Sequence, residues 1–264
     1  MLTAVKNQLK VTFLSIKYAL IREMLNKTTF ITNVLFMILN NASFIIQWII
    51  IYSLTEAVGD YTFFDVILLW GIAAGTYGAS HFFFENAYHL PVIINEGKLD
   101  SYLVQPKNVL IQVATANIKT SALGDLAYTY IILLIYGFTL KNFILITYFI
   151  LAGGIMLTCI SLILGSLSFW FKNTEGMVHT INSLLTNFAT YPEGIFNGIT
   201  KILLYTLIPV GVINYIPVDV IRSFDINLFI IFTAVLVSLI ALTFLVFYKG
   251  LKNYSSSNLM VARY

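Results

Sequence analysis

Between Asn227 and Tyr248 the chain runs for 22 residues without a charged side chain, and the run closes on Lys249. At about 1.5 Å of rise per residue a helix of that length matches the roughly 30 Å of a bilayer's hydrocarbon core. Only helices and closed barrels can cross that layer with every backbone group satisfied. The rest of the chain repeats the feature. Of 264 residues, 59% are hydrophobic and 10% charged, with a mean hydropathy of +0.86, more apolar than a soluble domain carries. About six or seven crossings of 20 residues would use up the length, so a sizeable soluble enzyme domain is excluded. The expected class is all-α: one polytopic transmembrane domain over 1–264 with six transmembrane helices.

Residues 1–28 read as an amphipathic interfacial helix. Leu9, Phe13, Ile16, Leu20 and Met24 recur at spacings of three and four, and Lys6, Lys10 and Lys17 follow a neighbouring line suited to anionic headgroups. A soluble core helix or a calmodulin-type target would show the same periodicity. No apolar core follows the basic start until about residue 29, so no secretory leader is expected. Crossings are expected at 29–54, 62–84, 120–138, 143–169, 176–191 and 227–248. A polar loop over 89–107 and an outer re-entrant hairpin over 192–217 complete the chain, and a variant with 195–216 as the full fifth crossing has nearly the same charge balance.

The asymmetry of Lys and Arg orients this arrangement. With the N-terminus inside, Lys6, Lys10, Lys17, Arg22, Lys27, Lys98, Lys107, Lys172, Lys249, Lys252 and Arg263 are cytoplasmic, against Lys141, Lys201 and Arg222 outside. Both termini are therefore expected in the cytoplasm, with Lys119 at the inner boundary snorkelling to the interface. A seven-crossing arrangement would move the basic C-terminal cluster outside.

Several residues stand out chemically. Gly71-Ile-Ala-Ala-Gly75, with Gly78 beyond it, is a small-residue surface for close approach of a helix, from this chain or from a second copy. Asn33, Asn40 and Gln47, spaced by seven, share one face of the first crossing and either line a path or serve helix packing. Asp125 lies several residues inside a crossing, where a carboxylate is costly unless paired or hydrated. It contacts substrate or a proton, or else pairs with Lys119 or with an amide on another helix. Asp65, near an outer end, is expected to reach water. His81, Glu85 and His89 follow at four-residue steps, so on one helix they share a polar stripe. The two histidines would then be about 12 Å apart, too far to join on one metal ion. Cys159, the single cysteine, reads as a small buried apolar residue and permits no intrachain disulfide.

Motifs for hydrolysis do not occur. The Gly97-Lys98 pair is followed by Leu99 and has Val92 where a phosphate loop needs its first glycine, and neither H-E-x-x-H nor G-x-S-x-G is present. ATP hydrolysis by this chain is not expected.

The loop from His89 to Pro106 combines polar positions with Ile93, Ile94, Leu99, Tyr102 and Leu103, enough apolar surface to dock on a partner; a connector packed on its own helices is the plainer alternative. Its segments Glu96-Gly97-Lys98-Leu99-Asp100 and Tyr102-Leu103-Val104-Gln105-Pro106 resemble the stretch after the second span of ABC transporter permeases of the type-2 exporter class. The resemblance is to a bacterial six-span subfamily of about 260 residues. Tyr191-Pro192-Glu193-Gly194-Ile195-Phe196, Ile208-Pro209-Val210 and Tyr215-Ile216-Pro217 match the pattern around that subfamily's last spans, so the likeness covers nearly the whole chain.

The resemblance implies a non-catalytic permease in a bacterial cytoplasmic membrane. It would pair with a second permease copy or paralogue, in contact with membrane lipids, and with separate ABC ATPase subunits that hold the ATP and Mg. No nucleic acid is implied. Coupling to the ATPase falls on Glu96, Gly97, Lys98, Leu99, Asp100, Tyr102 and Leu103. The path candidates are the residues singled out above by spacing and intramembrane polarity, Asn33, Asn40, Gln47 and Asp125, while the resemblance places the outer hairpin on Tyr191, Pro192, Glu193, Pro209 and Pro217. An amphipathic or hydrophobic substrate suits the aromatic content. Two other classes stay open: an ion-driven secondary transporter, argued from Asp125, and a membrane scaffold or immunity protein without transport.

Overall fold

The computed structural model describes residues 2–172 and 174–256; Arg263, counted above among the inner basic residues, lies outside them. About four fifths of the chain is helical, with no strand among the described residues. Helix α1 (Leu2–Met24) precedes α2 (Lys27–Tyr52) and α3 (Phe63–Phe84). Short helices α4 (Leu90–Asn95), α5 (Asp100–Leu103) and α6 (Val109–Ala114) lead to α7 (Ala122–Gly137) and α8 (Leu140–Ser166). Then come α9 (Glu175–Ala189), α10 (Ile199–Thr206), α11 (Ile216–Arg222) and α12 (Ile226–Leu251).

Polar caps set where the long helices begin. Asn26 accepts from the Thr29 amide, Thr139 from Asn142 and Asp225 from Asn227, at 3.2, 3.1 and 2.8 Å. Thr62 and Asp65 form a reciprocal capping box at the start of α3. These caps satisfy backbone donors that a helix start leaves open.

Helix α3 is the central pillar. It is buried nearly all round, as expected of a helix apolar on every face. Its glycines make this possible: Gly71 sits against Ile132 and Gly75 against Thr129 of α7. The Thr129 hydroxyl donates to the Gly71 carbonyl at 2.7 Å, joining the two helices. The small-residue surface is therefore used inside the chain. On the other side Gly154 of α8 faces Ala79, and Ser80 and Thr158 share a hydrogen bond of 2.7 Å. Helix α2 flanks α7, while α12 flanks α8 through Tyr148–Thr233 at 2.8 Å and an edge-on Phe149–Phe232 pair. Only Asn41 and Trp48 of α2 are buried, so most of its apolar surface faces outward. Cys159 is buried in α8.

Among the described residues, α2, α3 with its continuation to Asn95, α8 with its continuation to Phe169, and α12 are long and apolar enough to cross a membrane. Helix α7 is 16 residues and α9 is 15, about 24 and 22 Å. Helix α10 and the 211–222 segment meet at 76°, so the chain does not pass straight through there. Pro209 lies at that break, and Pro217 follows the π turn in the first turn of α11.

Two sequence expectations need correction. Asp65 is 6% exposed, because Arg222 reaches it from α11 with Nε to Oδ1 at 3.2 Å. Lys119 does not snorkel outward: its Nζ donates to the Tyr77 hydroxyl at 3.1 Å and lies over that ring.

Candidate functional site

A cavity of about 550 Å3 opens between α2, α3, α7 and α9, a size typical of small-molecule sites. Its walls are apolar at Met37, Phe44, Leu157 and Leu185 and polar at Asn41, Thr76, Asp125 and Asn214. Phe44 and Trp70 stack on one side with centroids 4.6 Å apart. Asp125 is 3% exposed, and one of its carboxylate oxygens accepts from Asn41 Nδ2 at 2.6 Å. An amide on another helix is thus its hydrogen-bond partner, while Lys119 attracts it through space. The other oxygen has no hydrogen-bond partner among the described residues.

Of the expected path residues, Asp125 and Asn40 line this cavity. Asn33, Asn40 and Gln47 all lie on the exposed side of α2, whereas Asn41 and Trp48 form the buried stripe one position along. Seven-residue spacing marks one stripe of α2, and the structure turns the adjacent stripe, Asn41 and Trp48, inward. Asn214, on a single π turn over Gly211–Tyr215, escaped the sequence reading. Its signal was a lone amide in an otherwise apolar stretch.

A second cavity of about 420 Å3 shares Tyr77, Thr186 and Asn187 with the first and continues to His81, Glu85, His89 and Lys119. His81 Nδ1 contacts Glu85 directly, and His89 Nε2 is 3.8 Å from the same carboxylate. Helix α3 ends at Phe84 and a 3-10 turn carries Glu85–His89, so the three residues do not share one regular helix. No group of His, Cys, Asp and Glu among the described residues is arranged to hold a metal ion. Burial acts to lower the Lys119 ammonium, but Tyr77, Glu85 and Asp125 outweigh it and hold it above the ordinary lysine range.

The polar loop is built as a platform. Leu99 is fully buried, together with Leu90, Ile93, Ile94 and Leu110. It therefore seats the loop and does not face outward. Gly97 has φ +71°, a left-handed conformation that turns the chain between α4 and α5. Gly97→Val is expected to cost about 1–2 kcal/mol of local stability, visible as faster amide exchange across 96–104. Asp100 accepts from Ser256 at 2.5 Å, and Tyr254 packs on Phe169. Helix α1 joins the same end: Gln8 accepts from the Asn108 amide at 2.9 Å, and Ser15 donates to the Thr115 carbonyl at 3.0 Å. Outward from this base stand Glu96 and Lys98, paired at 2.5 Å, Leu103 and Val104, the last 83% exposed; Tyr102 is half-buried.

At the opposite end Tyr191 is exposed beside the cavity mouth and Pro192 is buried. Glu193 pairs with Lys201 at 2.7 Å. Gly59 and Gly194 meet backbone to backbone, since a Cβ on either would come within 2.6 Å of the other's Cα.

A family model described as ABC-2 family transporter protein matches residues 37–258, spanning the central pillar, both cavities, the platform loop and the last long helix. No curated protein and no solved structure matches the chain. Four-fifths of the chain inside one family's boundaries, on a bundle of apolar helices, is decisive: the chain belongs to the ABC-2 family of transporter proteins and is a multi-pass membrane permease component of ABC transport.

Proposed function

We propose that this chain is the membrane half of an ATP-driven exporter for an amphipathic or hydrophobic substrate, working with separate ATPase subunits that bind the ATP and Mg. The platform over 90–105 carries this reading: Leu103 and Val104 stand exposed on a base that Leu99 fastens to the bundle. Such a rigid, half-apolar surface transmits the closure of a docked ATPase to α3 and α8, rocking the permease halves. Both termini would lie in the cytoplasm of a bacterium, with six crossings in the cytoplasmic membrane. A second permease copy or paralogue would cover part of the exposed side of α2, where Asn33 and Gln47 lie among apolar residues. The bent segment over 192–217 would form the outer hairpin.

Purification of the native protein from gently solubilised membranes tests this. A P-loop ATPase is expected to accompany the wild type, and Val104→Glu is expected to reduce its recovery about tenfold, as for loss of an apolar anchor. Recovery of the intact permease without any ATPase overturns the reading. The buried Asp125 is the argument for an ion-driven carrier, and transport that survives ATP depletion but collapses with the proton gradient would favour it.

A further inference from the structure

Four residues that line the larger cavity each carry a buried polar atom with no hydrogen-bond partner among the described residues: Trp70 Nε1, Thr76 Oγ1, Asp125 Oδ2 and Asn214 Oδ1. The four residues are between 1% and 7% exposed. Buried polar groups are almost always paired, because desolvating one without a partner is costly. Four residues around one cavity, contributed by α3, α7 and the π turn before α11, thus each bring an open hydrogen-bonding group to its lining.

The chemistry of the set is specific. Asp125 Oδ2 and Asn214 Oδ1 are acceptors, and one belongs to a carboxylate, so the complementary head is a cation that donates hydrogen bonds. The Phe44–Trp70 stack offers aromatic faces to the same charge. The Trp70 N–H and the Thr76 hydroxyl suit an oxygen acceptor close to that head. Leu157 and Leu185 supply apolar wall for the remainder.

We infer that this cavity binds an amphipathic amine, held by N–H donors to Asp125 and Asn214 with its apolar body against the leucines. The assignment deepens the transport reading above and rests on it by naming the substrate class.

Calorimetric titration of the full chain in phosphatidylcholine nanodiscs, corrected against empty discs, tests it with three probes. These are 4-phenylbutylamine, its N,N,N-trimethyl quaternary analogue and 4-phenylbutanol. The primary amine is expected to bind saturably and at least about tenfold more tightly than either analogue, since one lacks the donors and the other the charge. Asp125→Asn should reduce amine affinity by about tenfold and leave the alcohol's unchanged. Equal affinity for all three probes overturns the assignment, as does binding no greater than to empty discs or an undiminished amine affinity in the folded Asp125→Asn protein. Should that variant fail to fold, the ranking on the wild type still decides. No ATPase is present in the titration, so its failure leaves the docking platform standing, and a missing ATPase in the purification leaves this site standing.

Discussion

Gly78→Val is expected to destabilise the bundle by about 3 kcal/mol, at the upper end of what overpacking a close interface costs. A Cβ at Gly78 would lie 2.9 Å from the Ala122 carbonyl oxygen and from Asp125 Cβ, and 3.0 Å from the Leu126 amide nitrogen. Two of these three are backbone atoms of α7, which cannot swing aside as a side-chain tip can. The helices must separate, and the cavity wall at Asp125 moves with them. Gly176→Ala is the control, because nothing lies within 4 Å of a Cβ there and alanine favours the helix over glycine. Thermal unfolding followed by size exclusion should show a large loss for Gly78→Val and none for Gly176→Ala. Equal behaviour of the two proteins would mean that α3 and α7 are not in close contact.

Arg222→Met should loosen the end of the bundle opposite the platform by about 2 kcal/mol, a roughly 30-fold rise in local opening. The guanidinium bonds Asp65 at 3.2 Å and the Asp60 carbonyl at 3.0 Å, and it lies over the Tyr61 ring at 5.5 Å. Removing it leaves the Asp65 side chain, 8% exposed, without its arginine partner and held by the Thr62 amide and hydroxyl. The arginine itself is about one third exposed, which keeps the cost below that of a fully buried pair. Hydrogen exchange over 55–66 should accelerate accordingly, and Arg222→Lys should recover only part of the protection because an ammonium lacks the planar fork. Unchanged exchange in Arg222→Met would show that the capping box and the Tyr52–Tyr61 hydrogen bond, 2.7 Å long, hold this loop unaided.

Much of the architecture was legible because hydrophobic runs are local signals. The apolar runs over 62–84 and 227–248 coincide with α3 and α12 to within one to three residues, since apolarity over about 20 residues is read without reference to the rest of the chain. The platform loop was visible as a mixture of polar and apolar residues. Its inner and outer faces were not: Leu99 and Leu103 look alike in the sequence, and only the fold buries the first and exposes the second. The same limit applied at Asp65 and Lys119, whose partners Arg222 and Tyr77 lie 157 and 42 positions away.

Composition and periodicity by themselves determined that this chain is a helical membrane protein with no phosphate loop of its own, because the bilayer imposes length and apolarity on each crossing independently of the others. The cavity was decided by tertiary structure alone. Asn41, Asp125 and Asn214 are separated by 84 and 89 residues, and no local rule tells which amide among Asn33, Asn40, Asn41 and Gln47 will turn toward a carboxylate on another helix. That choice is made by the rotation of α2 against α7, and the glycines of α3 that let α7 approach so closely allow the buried pair to form.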